Sequence, residues 1–135
     1  MNNSLRNSIK LSQIFPVSAK RLYDAWLSSS EHSDFTHSKT EIKPKLGTNF
    51  TAGNGYISGH NIALQPYSRI VQSWRTTDFP ETSIDSKLEI LFEKVNGGTR
   101  LTLIHTQLPN GQITDYEKGW KKHYFKPMKA YFKKS

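Results

Sequence analysis

Histidine is the side-chain type best suited to move protons near neutrality, and this chain has five. Two of them, His60 and His105, lie on stretches that alternate like β-strands. If both rings faced inward they could pass protons across an enclosed pocket, as a cyclase- or hydrolase-like reaction requires. No Asp or Glu stands at a spacing that would orient either ring, so a hydrogen-bonded core or rim histidine is the simpler reading. His32 and His37 lie close to Glu31 and Asp34. Five-residue spacing in a loop matches no zinc signature, so no metal is expected. The chain has no Cys, which removes thiolate ligands and a thiol nucleophile. Ser28, Ser29 and Ser30 are not set in a Gly-x-Ser-x-Gly elbow, and no phosphate-binding glycine pattern occurs. Neither a catalytic set nor a cofactor is expected.

The aromatic residues allow another kind of site. Trp26, Tyr56, Trp74, Phe79, Trp120 and Tyr124 would ordinarily be core. The inner sheet positions, however, also carry Ser58, Gln72, Ser86 and His105, and each buried polar group needs a partner. Aromatic walls with a few converging polar groups are the usual form of a small-molecule pocket. The expected lining draws Trp26, His60, Gln72, Trp74, Ser86 and Leu88 from the first helix and the sheet. Leu103, His105, Trp120, Tyr124 and Met128 complete it. Trp74 and Trp120 flank the cavity, with Gln72 and His105 as polar anchors.

A long final helix must position these groups. At 100° per residue, Tyr116, Trp120, Tyr124, Met128 and Tyr131 share one stripe. Thr114 with Glu117 reads as a capping box, which puts the first turn at Asp115 and the end near Lys133. Pro127 removes a hydrogen bond to the His123 carbonyl, so a bend is expected there, with a possible gate near Met128 and Tyr131. Gly119 beside Trp120 is expected to allow close approach of a neighbouring segment.

Upstream, residues 8–15 read as a strand stopped by Pro16. Ser18 caps a helix over about 19–28, and the serines at 28–30 can cap a weaker turn over Glu31–Phe35. From about Lys39 to Leu108 the period is two. Strands are expected at Glu41–Lys43, Thr48–Ala52, Tyr56–Leu64, Arg69–Thr76, Ile84–Val95 and Thr99–Gln107. Asn54-Gly55 marks a tight hairpin. The two faces of strand 56–64 are nearly balanced for burial, and a one-residue bulge would exchange them. The order predicts an α+β helix-grip fold. In it, a curved antiparallel sheet of about six or seven strands wraps around the C-terminal helix, with two short helices after the first strand. Residues 1–135 are expected to form a single domain.

The net charge of +8 is unevenly spread. Residues 112–135 hold seven lysines against Asp115 and Glu117, so more than half the excess lies on the final helix. Lys118, Lys122, Lys126, Lys129 and Lys133 lie opposite the aromatic stripe and could face an acidic protein partner, although lysine is also the default on a solvated face. The aromatics point away from the lysines and cannot stack bases, so nucleic acid is not expected. The N-terminus lacks a secretory pattern, and no apolar stretch approaches a membrane span, so a cytoplasmic protein is expected.

Several motifs together resemble a known family. They are Phe15-Pro16-Val17-Ser18 with Tyr23-Asp24-Ala25-Trp26, then Gly47-x-x-Phe50, Gly55, Gly59 and Ile70-Val71-Gln72-Ser73-Trp74-Arg75. Gly98-Thr99-x-Leu101-Thr102-Leu103-x-His105 and Gly119-Trp120-x-x-x-Tyr124-Phe125-x-Pro127-Met128-x-x-Tyr131 follow. Across about 9–133 the chain resembles START-like (SRPBCC) domains, in the branch named for the C-terminal domain of the activator of the 90-kDa heat-shock chaperone ATPase. The resemblance implies the helix-grip fold, a space between sheet and helix that holds hydrophobic ligands in many members, and enzymatic activity in only some. The leading expectation is a non-enzymatic module that holds a small hydrophobic or aromatic ligand. The alternative is a co-chaperone-like interaction protein.

Overall fold

The computed structural model describes residues 7–133. Ile9–Phe15 forms β1, and Ala19–Trp26 and Ser29–Thr36 form helices α1 and α2. Both helices begin on the serines that the sequence marks out. The Ser18 hydroxyl accepts from the Arg21 N–H, and that of Ser28 from the Glu31 N–H. The expected weak turn over Glu31–Phe35 is therefore a full helix of eight residues, ended by His37 in the left-handed conformation (φ 58°).

Strands β2 (Asn49–Ala52), β3 (Ile57–Gln65), β4 (Arg69–Thr76), β5 (Ser86–Val95) and β6 (Gly98–Thr106) follow. They form one antiparallel, curved sheet in the order β1-β6-β5-β4-β3-β2. Gly98 allows β1 to lie against β6, because a Cβ there would run into the Phe15 carbonyl oxygen. The expected alternation holds in β5 and β6: Ser86, Leu88, Ile90 and Phe92, with Thr99, Leu101, Leu103 and His105, are buried.

Three local expectations need correction. Glu41–Lys43 is not a strand; it is a single bridge between Glu41 and Thr51. Asn54-Gly55 is not a two-residue hairpin. Gly53–Gly55 makes a 3₁₀ turn with Asn54 at φ 59°, and the Asn54 side-chain oxygen accepts from the Lys39 N–H at 2.8 Å. In β3, Ile57 and Asn61 are buried and the register shifts between Asn61 and Ala63. His60, expected to face the cavity, is exposed on the opposite face, where its Nδ1 meets the Ser73 hydroxyl at 2.8 Å. The fixed two-residue alternation of the strand decides this once Ile57 is inside.

The C-terminal helix has three parts: α3 (Ile113–Gly119), a π-helical turn (Trp120–Phe125) and α4 (Lys126–Phe132). The expected capping box does not form. Gln112 holds the cap position, but its side chain donates to the Asp78 carbonyl and accepts from the Tyr116 hydroxyl. Pro127 is accommodated by the π turn just before it, where the Lys126 N–H reaches the Lys121 carbonyl five residues back. A proline in a regular helix would clash with the carbonyl four residues back, and a wider turn relieves that contact. Every fourth residue of an α-helix drifts about 40° around the axis. The π turn absorbs the drift, so Tyr116, Trp120, Tyr124, Met128 and Phe132 all stay buried. Phe132 thus takes the core position expected of Tyr131. Tyr131 is half-buried, and its hydroxyl donates to the Glu31 carboxylate at 2.7 Å. The segment after Pro127 is a packed clamp, since Met128 and Phe132 are almost fully buried.

Candidate functional site

Among the buried polar networks of the described residues, three tie together the expected site residues, the helices, the loops and the sheet. In the first, the Trp120 Nε1–H donates to His105 Nδ1 at 3.1 Å. His105 Nε2 lies 2.8 Å from the Ser86 hydroxyl, which donates to the Trp74 carbonyl at 2.6 Å. These partners fix the proton on Nε2, so His105 donates to Ser86. In the second, Gln72 donates to the Asn61 side-chain oxygen at 2.9 Å and accepts weakly from Trp26 Nε1 at 3.4 Å. Asn61 in turn donates to the Lys43 and Lys45 carbonyls, pinning that loop.

In the third, His32 Nδ1 lies 2.8 Å from the Trp26 carbonyl and Nε2 lies 2.8 Å from the Tyr124 hydroxyl. The carbonyl can only accept, so Nδ1 carries the proton and Tyr124 donates to Nε2. This link ties α2 to the C-terminal helix. Burial lowers the pKa of His105 to about 3 and that of His32 to about 4, so both rings are neutral near pH 7. Burial likewise holds the Tyr124 phenol protonated.

These networks reassign most of the expected cavity lining. Gln72, Ser86 and His105 are polar because they fasten segments together, and each finds its partner within the protein. Trp26, Leu88, Leu103 and Met128 are nearly fully buried in the aromatic and aliphatic core. None of these seven lines the aromatic cleft between sheet and helix.

That cleft has a volume of about 270 Å³ and lies at one end of the helix-sheet sandwich. Trp74, Trp120 and Tyr124 line it, as expected, and the structure adds Tyr56, Ile57 and Tyr116 to its wall. Thr36, Ser38, Gly53, Gly119 and His123 complete it. Gly119 is not there for close packing: a Cβ would meet only the His123 ring at 4.0 Å. The Tyr116 hydroxyl lies 2.7 Å from the Thr76 hydroxyl, and Tyr56 donates to the Asp78 carboxylate at 2.7 Å. Tyr116 repeats the four-residue spacing of Trp120 and Tyr124, which is the signal that could have placed it here. Tyr56 has no such periodic signal.

On the outer side of the helix, Lys118, Lys122, Lys126, Lys129 and Lys133 are exposed, as expected, and Lys121 joins them. Among the described residues, none of the six makes an ion pair.

Residues 16–133 match the family described as Activator of Hsp90 ATPase homolog 1-like protein. The chain belongs to that family. A Dictyostelium discoideum protein named as an activator of 90 kDa heat shock protein ATPase homolog is 29% identical over 127 residues, covering 93% of this chain and 33% of the relative. A Mus musculus protein named as the second such homolog is 24% identical, covering 91% of this chain and 37% of the relative. The chain thus spans about a third of the length of these curated relatives. The crystal structure of an HSP90 activator from Plasmodium falciparum shares the fold, with a TM-score of 0.85 at 22% identity, over 92% of this chain and 94% of that one. The Chromobacterium violaceum protein CV1439 follows at TM-score 0.77 and 20% identity, over 94% and 97%. In this Activator of Hsp90 ATPase homolog 1-like chain, the family match spans both the aromatic cleft and the lysine face. No helix among the described residues is long and apolar enough to cross a membrane.

Proposed function

We propose that this domain is a non-enzymatic, co-chaperone-type interaction module that presents its C-terminal lysine face to an acidic surface on a protein partner. The observation that carries the reading is the row of exposed lysines without ion pairs. A helix face built for stability alone would intersperse Glu at i,i+4 spacing. The curated relatives are named as activators of a 90 kDa heat shock protein ATPase, so a chaperone of that class is the first partner to test. The buried histidines support the non-enzymatic part, since His32 and His105 are neutral, enclosed and already hydrogen-bonded. Calorimetric titration against such a chaperone should give binding that weakens steeply with salt. Lys118→Glu/Lys122→Glu/Lys133→Glu should remove it and any ATPase stimulation. Equal binding by wild type and variant would refute the assignment of this face.

The cleft supports a second reading, a site for a small aromatic or apolar ligand. Its volume is just below the range of roughly 300–1,000 Å³ typical of ligand pockets. It is therefore suited to a ring-sized aromatic compound rather than to a sterol or a whole fatty-acid chain. Native mass spectrometry of freshly purified protein should then show a retained small molecule. Unliganded mass, together with unchanged amide spectra on adding flavonoid-like aromatics, would count against it.

A further inference from the structure

The two edges of the sheet are treated differently. The β2 edge is short and covered: Glu41 exchanges both backbone hydrogen bonds with Thr51, at 2.9 and 3.0 Å. The β1 edge runs for seven residues and, among the described residues, pairs on one side only, with β6. The Phe15 carbonyl lies against Gly98 of β6. Because alternate residues of an antiparallel strand direct their backbone groups to opposite sides, Ile9, Leu11, Gln13 and Phe15 face β6. Lys10, Ser12 and Ile14 therefore turn their N–H and C=O groups to the free side. A groove lies beside that edge, between β1 and the C-terminal helix. Leu11, Ser12 and Gln13 form one wall, and Phe125 with Lys121, Lys126 and Lys129 forms the other. Among the described residues, no acidic side chain lines it.

We propose that the free edge of β1 takes an extended acidic segment of a partner protein as an added strand. Main-chain bonds to Lys10, Ser12 and Ile14 supply the ladder, and acidic side chains on the helix side meet Lys121, Lys126 and Lys129. Charge selects this occupant over a second copy of the chain, because pairing two β1 edges would bring Lys10 and the groove lysines against their own duplicates. Among the described residues, the Gln13 carboxamide competes for this edge: it donates to the Ile14 carbonyl at 3.2 Å and must turn aside. The site rests on the acidic-partner reading above, and it adds backbone pairing, which charge alone does not require.

The test uses a fluorescein-labelled peptide of about seven residues alternating Val and Glu, a length that matches β1. A second peptide is N-methylated at every residue, so that neither of its edges can pair, and a third carries Lys in place of Glu. The first should bind the full chain, and hydrogen exchange should slow selectively at the Ser12 and Ile14 amides. N-methylation, or Ser12→Pro in the protein, should weaken binding about tenfold or more, as expected for lost backbone bonds. Pro is tolerated at an edge position whose N–H faces away from the ladder. Should Ser12→Pro perturb folding, the N-methylated peptide decides the matter alone. Lys121→Glu/Lys126→Glu/Lys129→Glu should abolish binding, and the Lys peptide should not bind. Undiminished binding of the N-methylated peptide would overturn strand addition while leaving the lysine face as an acidic-partner surface. No binding of the Val–Glu peptide, or a dimer of the protein alone paired through β1, would also overturn it; the chaperone titration judges the broader reading separately.

Discussion

Trp120 is held twice, by its ring and by its nitrogen. Its ring centroid lies 5.7 Å from that of Trp74 and 4.7 Å from that of Tyr124, and its N–H is spent on His105. Trp120→Ala should cost about 3–5 kcal/mol, as large-to-small core changes do. Trp120→Phe should keep most of the burial yet still destabilise, because His105 Nδ1 loses its donor. Chemical denaturation at pH 7 checks both; an unchanged midpoint for the alanine variant would contradict the packing. The two buried histidines also set an acid limit. Their folded pKa values lie below the unfolded value of about 6.5, so the unfolded chain takes up protons first as pH falls. Stability should be fully present above about pH 6.5 and decline as pH falls toward 4 for His32 and 3 for His105. In urea titrations between pH 7 and 5, His105→Gln should lose less stability than wild type over that window, whatever its stability at pH 7.

Among the elements, the C-terminal helix is where packing and covalent chemistry meet. Beyond Pro127, Tyr131 holds Glu31, and Glu31 holds the Arg21 guanidinium at 2.6 Å, which also lies over the Phe132 ring. Amides of Met128–Phe132 should therefore exchange about as slowly as those of the π turn, and much faster exchange there would restore the idea of a gate. The serine caps, the alternation of Leu88–Phe92 and Leu101–His105, and the aromatic row at Tyr116, Trp120 and Tyr124 are legible in the sequence because each is a local pattern. The π turn and the inward face of β3 are not. The π turn changes the register by one residue, which counting at a fixed period passes over, and the two faces of β3 are nearly balanced for burial, so Tyr131 and His60 are misplaced. The site divides the same way. Trp74, Trp120 and Tyr124 reach the cleft as their stripes indicate. Gln72, Ser86 and His105 resemble pocket anchors because their partners Asn61, Trp26, Trp74 and Trp120 lie on other elements and are invisible to local spacing.

For the molecule as a whole, the lysine face is a cost as well as an opportunity. Its like charges lie without counter-ions on one side of one helix, so they repel in the folded state. Screening length falls from about 10 Å at 0.1 M salt to about 3 Å at 1 M. The denaturation midpoint of wild type should therefore rise with sodium chloride over that range. Lys122→Glu should stabilise the protein at low salt, by about 0.2–0.5 kcal/mol for each new i,i+4 pair, and flatten the salt dependence. A less stable variant at low salt would mean that the lysines are not in mutual repulsion. Together with weaker partner binding, the expected gain would mark a surface kept for recognition at the expense of stability.

The three tryptophans of the chain lie in one row, Trp26 stacked on Trp120 at 6.3 Å and Trp74 tilted against Trp120 at 5.7 Å. At that spacing excitation passes readily among them. Two of the three form the floor of the cleft, and all three lie on the far side of the helix from the lysines. Intrinsic emission is therefore a local gauge. A small molecule entering the cleft should shift or quench it, whereas a partner docking on the basic face, or a strand adding to β1, should leave the colour of the protein unchanged.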